Sequence, residues 1–481
     1  MARAIGTALD VAGLLTALAP WRTALLFRAS RWLGPAWGPV VTHVSLAAPV
    51  AGAAGFISAL TASSILSGSS ALSAPSVLSG SSALSGYVWM GVGVAVSAVA
   101  ASSHRLSIPA WAGGCRTLLL AAALAALGSA AVKLLSRRRR AGAALAAVAV
   151  ACALTLRADP RCAGGLTAAN NAGAAFRMLS REESATGWVT VSDDAARGLR
   201  VLRSGHSIIG GHWSDTRESI FGIFYYADAV RLAHGAQTKA QAQAAAGRGG
   251  ERALVIGLGV GVAARSLHEQ GVRVDVVELD AAVHRAAAAH FGLPRALHGV
   301  FVQDGRAFVD AAPSGAYDYV VHDVFTGGSV PAALFSQAAV AQLARVLAPR
   351  GVLAMNYVGV LGDTRTLHHV ARTLREAFAH VRCFAESAAD PAAVTNMMFF
   401  ASQEPIRFAP QALRRAADPA SIRGHVLAAM EANEVSLAYD ARAVRPITDA
   451  WNPLPAWLAP AARLHWLAMR EMFPDEYWLN Y

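Results

Sequence analysis

The sequence predicts an α/β fold built on a parallel sheet, preceded by an α-helical transmembrane region. Three observations carry this. The run 253–280 reads as strand, glycine-rich turn, helix and strand; acidic residues stand at the ends of three successive strand patterns; and the first third of the chain is rich in long chargeless apolar segments. Across the 481 residues, 54% are hydrophobic and only 15% charged, with a mean hydropathy of +0.38, more apolar than an ordinary water-soluble enzyme. The surplus is expected in a membrane.

The apolar segments 5–20, 40–60, 87–101, 116–135 and 141–156 are the span candidates, giving four or five spans; 40–60 is long enough to cross a hydrocarbon core of roughly 30 Å. Between them, a twelve-residue Ser-rich unit occurs twice within 63–86 and reads as a duplicated loop. The expected organisation is a helical membrane region over 1–160, a small β-rich piece and helix over 187–235, a nucleoside-binding domain over 251–405 and a helical extension over 406–481. The expected localisation is an integral membrane protein in contact with the lipid bilayer, with the domain after Arg157 in the cytosol. Net charge is +11, nearly all of it arginine, since Lys133 and Lys239 are the only lysines. The densest cluster, 137–140, abuts apolar segments, which suits a membrane flank better than nucleic acid, so no nucleic-acid partner is expected. Cys115, Cys152, Cys162 and Cys383 show neither metal spacing nor a disulfide framework, and no metal is expected.

Beyond 187 the runs 188–191, 199–202 and 207–209 predict a small antiparallel region, and 220–232 an amphipathic helix. The polar stretch 236–250 reads as a linker. Gly257, Gly259 and Gly261 let the backbone turn sharply after an apolar strand, and Glu278, seventeen residues beyond Gly261, ends the next strand where a carboxylate can accept from a ribose diol. The spacing is Gly-x-Gly-x-Gly, not the Gly-x-Gly-x-x-Gly of dinucleotide sites. Asp304 and Asp323 follow the third and fourth strands, so three acids line one crevice, suited to a ribose, an adenine amino group and a cationic reacting centre. The fifth strand is 351–357, whose Asn356 and Tyr357 reach towards the crevice; 327–331 is a loop over the strand ends, 337–347 a helix, and 396–400 a late core strand. His212 and His322 lack companion ligands at metal spacing and read as structural.

These motifs carry a resemblance. From about Gly187 to Gly359 the chain resembles the spermidine/spermine synthase family, whose Rossmann-like fold is shared with S-adenosylmethionine methyltransferases. The matching pieces are 256–261, 277–280, 303–306, 317–323 and 334–336, and 447–454 is similar to a Thr-Asp-Asp-x-x-Pro segment of membrane-anchored members. The resemblance implies that Glu278 binds the ribose, Asp304 the adenine, and that Asp323 deprotonates the attacking amine. Tyr225, Tyr226 and Asp228 fall near the family's Tyr-x-Glu gate and are, with Thr326, the substrate-side residues it suggests. It implies a small amine substrate, decarboxylated S-adenosylmethionine or S-adenosylmethionine as cofactor, and a homodimer.

Two departures bear on the chemistry. Val260 stands where the family's turn carries an aspartate, and Thr326 where its catalytic strand end carries a second one. Both acids face cationic groups in the family, and they would repel the carboxylate of ordinary S-adenosylmethionine. Their loss weakens the aminopropyl case: the resemblance makes a membrane-anchored aminopropyltransferase of polyamine synthesis the first expectation, a methyltransferase on the same fold, favoured by Val260 and Thr326, is the second, and a non-catalytic nucleoside-sensing membrane protein is the third.

Overall fold

The computed structural model describes residues 176–184, 186–205, 207–234, 250–325, 327, 329–387 and 389–479. Of the described residues, those from 176 to 184 and from 188 to 474 belong to one compact unit. Four antiparallel strands come first: β1 (Phe176–Ser184), β2 (Gly187–Asp194), β3 (Leu199–Ser204) and β4 (Ser207–Trp213), in spatial order β1-β2-β3-β4. The sequence reading found three of them. β1, with charged residues at Arg177, Arg181, Glu182 and Glu183, has too little apolar alternation to announce itself.

The stretch 220–232 is helical but broken, an α-turn α1 (Ile223–Tyr226) running into a 3₁₀ segment (Ala227–Leu232). The nucleotide-type fold then alternates: β5 (Arg252–Ile256), α2 (Val262–Glu269), β6 (Arg273–Glu278), α3 (Ala281–His290), β7 (Gly299–Val302), α4 (Gly305–Ala311), β8 (Tyr317–His322), α5 (Gln337–Val346), β9 (Leu347–Val360), α6 (Thr364–Arg375), β10 (His380–Ala385) and β11 (Val394–Ser402). A helical extension follows: α7 (Pro410–Arg415), α8 (Ile422–Ala429), α9 (Leu454–Trp457) and α10 (Ala459–Met472), with α11 (Asp475–Leu479) at the end.

The seven strands are ordered β10-β11-β9-β8-β5-β6-β7, with β11 alone antiparallel to its neighbours. From β5 the chain moves outward to β6 and β7, then returns to place β8 on the other side of β5. The order reverses between β5 and β8, and a crevice opens there at the carboxyl ends of the strands.

Each strand interior buries both faces, and alternation decides which. On β5, Leu254 and Ile256 join one core with Val309 of α4, Val340 and Leu343 of α5, and Leu367 and Leu374 of α6. Ala253 and Val255 join the opposite core with Ile223, Val230, Ala264, Leu267, Leu413 and Leu427. A third cluster fastens the small sheet to the nucleotide fold: Val189, Val191 and Leu202 pack on Val260, Val262, Ala282, Val283 and Phe291. Edge strand β7 is the exception, with Val300, Phe301 and Val302 all exposed.

The expected α-helical transmembrane region and integral-membrane localisation are corrected. Among the described residues no helix is long and apolar enough to cross a membrane, and the fold class is α/β. The longest described helix, α10, has 14 residues, fewer than a span needs, carries Arg463, Arg470 and Glu471, and buries Ala461, Ala462, Trp466 and Met469 on one face. The five span candidates, the Ser-rich loop, Cys115, Cys152, Cys162, the linker 236–249 and Thr326 lie outside the described residues.

Phe399, fully buried on β11, is expected to cost about 3–5 kcal/mol when changed to Ala. Phe301→Ala on β7 is expected to cost under about 1 kcal/mol, the two being compared by urea unfolding.

Candidate functional site

The site is assembled where β5 and β8 diverge. Gly257, at φ 84°, donates its N–H to Val277 (2.8 Å), and Asp323 donates its own to Ile256 (2.8 Å). A Cβ at position 257 would stand 2.0 Å from the Asp323 carbonyl oxygen, so only glycine allows the two strand ends to come this close. β4 lies over the turn. A Cβ on Gly210 would meet the Val260 methyls at 2.8 Å, and Val260 is buried beneath it.

The helices around the crevice differ at their starts. The side chains of Asp280, Asp304, Ser336 and Asp363 cap α3, α4, α5 and α6. No side chain caps α2, which begins at Gly261 with φ 82°. The positive end of its dipole is thus met by no capping side chain.

Glu278 closes β6, with its carboxylate taking the Leu258 N–H at 2.8 Å and the Asp280 N–H at 2.9 Å. Burial pushes its pKa up, and these backbone donors hold it down. Each carboxylate oxygen keeps a further lone pair for a ribose diol. Beside it Leu279 is 59% exposed, and Asp304 uses one oxygen to cap α4 (Ala307 N–H, 2.9 Å). An uncovered apolar side chain between two acids fits the flat face and polar edges of an adenosyl group.

On the other side of the crevice, Asp323 is half-buried and receives a hydrogen bond from Asn356 Nδ2 at 2.9 Å. Burial raises its pKa to about 6, the Asn356 bond opposes the rise, and the charge of Glu278 adds to it. Phe325 meets the ring of His465 on α10 at 5.2 Å, edge to face, and burial lowers that histidine to about 4, so it is neutral at pH 7.

The structure brings Gly257, Gly259, Gly261, Glu278, Asp304 and Asp323 together at the strand ends. Tyr225, Tyr226 and Asp228 are buried and engaged by protein groups. The Tyr225 hydroxyl accepts from the Ser219 N–H (2.7 Å), Tyr226 donates to the Ala385 carbonyl (3.1 Å), and Asp228 pairs with Arg423 (2.8 Å). His322 is buried against Phe335 with both ring nitrogens unpartnered among the described residues, and His212 packs on Phe291. Burial holds both histidines near 4. Among the described residues no group of three or more His, Cys, Asp or Glu side chains is arranged to hold a metal.

One connection escaped the sequence reading. Arg306 grips Asp449 with two bonds (2.9 and 2.6 Å), and Asn452 donates to the Ala332 carbonyl at 2.8 Å, so the 447–454 segment straps the loop after β8 to the start of α4. The Thr-Asp motif was visible, but its partner lies 143 positions away in sequence.

Residues 234–409 match the spermine/spermidine synthase domain family. The chain is 37% identical over 262 residues to an N-terminal histidine N-methyltransferase of Emericella nidulans, covering 50% of this chain and 46% of that protein. It is 38% identical over 137 residues to polyamine aminopropyltransferase 2 of Streptomyces coelicolor, covering 26% and 25%. The chain thus spans less than half the length of these relatives, both transferases. Among solved structures it is similar to a probable spermidine synthase from Corynebacterium glutamicum (19% identity, TM-score 0.40, 52% of this chain and 84% of that one). It is also similar to human methyltransferase-like protein 13 in complex with S-adenosylhomocysteine (21%, TM-score 0.32, 43% and 90%).

Gly257→Ala must push the Asp323 carbonyl away and is expected to weaken nucleoside-cofactor binding about a hundredfold by calorimetry. Gly315→Ala, equally left-handed at φ 66° but with nothing within 4 Å, is the control expected to leave binding unchanged. The strand-end acids Glu278, Asp304 and Asp323 all fall within the stretch 234–409 that matches this domain family.

Proposed function

We propose that the chain is an S-adenosylmethionine-dependent transferase that methylates a nitrogen. The observation that carries this is the turn between β5 and α2. Val260, apolar and packed under β4, stands where the aminopropyl-transferring family carries an acid, and the uncapped start of α2 offers N–H groups to a carboxylate. Such a turn favours the carboxylated donor over the decarboxylated one. The similarity to an N-terminal histidine N-methyltransferase supports a nitrogen acceptor at the start of a peptide.

The bound donor supplies a methyl group on a positively charged sulfur. In this reading Glu278 holds the ribose and Asp304 the adenine, while the α2 start faces the donor's carboxylate. Asp323 orients the acceptor and removes its proton as the N–C bond forms and the S–C electron pair stays on sulfur. A carboxylate raised to about 6 is a better base than an exposed one, which narrows the gap to an amine.

A second reading, aminopropyl transfer from decarboxylated S-adenosylmethionine to a small amine, draws support from the domain match and from Asp323 itself. The products separate the two. Incubated with both donors and either 1,4-diaminobutane or a histidine-initiated peptide, the full chain is expected to release S-adenosylhomocysteine and not methylthioadenosine. The opposite result restores aminopropyl transfer. Tight donor binding with neither product would leave a nucleoside sensor.

Asp323 works as a base only when ionised, so the rate is expected to be level above about pH 7 and to fall as pH drops through about 6. Asp323→Asn removes the base, and kcat is expected to fall by about 10²–10⁴ with donor affinity little changed.

A further inference from the structure

Asn356 carries more than its bond to Asp323. It lies on β9 between β8 and β11, in register with Met398, on the sheet face it shares with Val352 and Ala354. It is 4% exposed. The orientation of its amide is fixed by chemistry: at 2.9 Å from Asp323 Oδ1, only the Nδ2 end can face a carboxylate, because two acceptors would repel. That leaves Oδ1 buried and without a hydrogen-bond partner among the described residues, in the same amide group that touches the base. The second oxygen of Asp323 likewise accepts no hydrogen bond from the described residues. A buried acceptor without a donor is costly, and the cost is relieved by whatever brings an N–H to it.

We propose that Asn356 is a specificity-determining residue of the transfer site. Its Oδ1 accepts an N–H from a free amino group of the acceptor while Asp323 takes the proton that the reacting group gives up. The assignment rests on the proposed transfer to nitrogen. Two open acceptors on side chains joined by a 2.9 Å hydrogen bond call for an acceptor substrate with two N–H donors on one face. A primary amine provides both on the reacting nitrogen; an imidazole attacks through its unprotonated ring nitrogen and gives Asp323 the N–H of the other ring nitrogen, while an unblocked α-amino group beside it gives Asn356 its own. In either case the N–C bond forms as the S–C bond breaks, the S–C pair stays on the thioether sulfur, and the proton passes to Asp323. The amino hydrogen on Asn356 is not transferred. An acceptor lacking those hydrogens leaves Oδ1 unpaired and is rejected, as sites built to hydrogen-bond a substrate reject analogues without the group.

The test uses the full chain, S-adenosylmethionine and two probe pairs, following S-adenosylhomocysteine by mass spectrometry. One pair is 1,4-diaminobutane and its tetramethyl derivative; the other is the peptide His-Gly-Gly-Gly and its α-N,N-dimethyl form. Wild type is expected to lose at least about tenfold in kcat/KM on dimethylation of the probe it uses, and Asn356→Leu to bring the two forms within about threefold. Asn356→Leu also removes the donor to Asp323, so its acid limb is expected to move to higher pH, and Asn356→Gln to recover part of the discrimination. Unchanged calorimetric affinity for S-adenosylmethionine in Asn356→Leu shows that the variant folds. Which probe turns over tells a primary amine from an imidazole beside an amino group. Equal use of free and dimethylated probes by wild type, or discrimination intact in Asn356→Leu, overturns the assignment. Donor binding without transfer to either probe overturns the proposed methyl transfer and this assignment with it.

Discussion

The close approach of Gly257 to the Asp323 backbone is the constraint on which the rest of the site depends. Strand order reverses at this point, so the β5 and β8 ends must part to open a crevice, yet two hydrogen bonds, Gly257 N–H to Val277 and Asp323 N–H to Ile256, keep them in register. A turn without a side chain is the one solution that satisfies both demands, and it sets Asp323 across from Glu278 closely enough for the charge of Glu278 to be felt at Asp323. The donor-binding and proton-accepting halves are thus parts of a single backbone arrangement.

Around that point the protein spends its hydrogen-bonding capacity unevenly. Three aspartates and one serine cap α3 to α6, and a backbone amide donates to each oxygen of Glu278. The start of α2 and Asn356 Oδ1 are left open. In the proposed reading the donor's carboxylate completes the first and the acceptor's amino group the second.

Much of this was legible in the sequence. A short apolar run ending in glycines, a second ending in Glu278 and a third ending in Asp323 state a parallel sheet with acids at one edge, because strand period and turn chemistry are both local. β1 and β10 were not legible; each carries charge and partial burial, and it is their neighbours that make them strands. The pairing state of Tyr225, Tyr226 and Asp228 could not be read either, since their partners Ser219, Ala385 and Arg423 are set by tertiary packing. Composition misled on the fold class: an apolar average says how much surface must be covered, and in the described residues a sheet buried on both faces takes up that demand.

The Arg306–Asp449 bridge has a consequence for the order in which the molecule is made. It joins residues 143 apart, and with Asn452 it holds the loop that follows the base. During synthesis the β5 turn emerges some two hundred residues before that strap, so the sheet can form while the rim of the crevice is still unanchored. Contacts of such long sequence separation close late, after their loop entropy has been offset by the core. The nascent chain therefore holds a folded sheet before it holds a finished crevice.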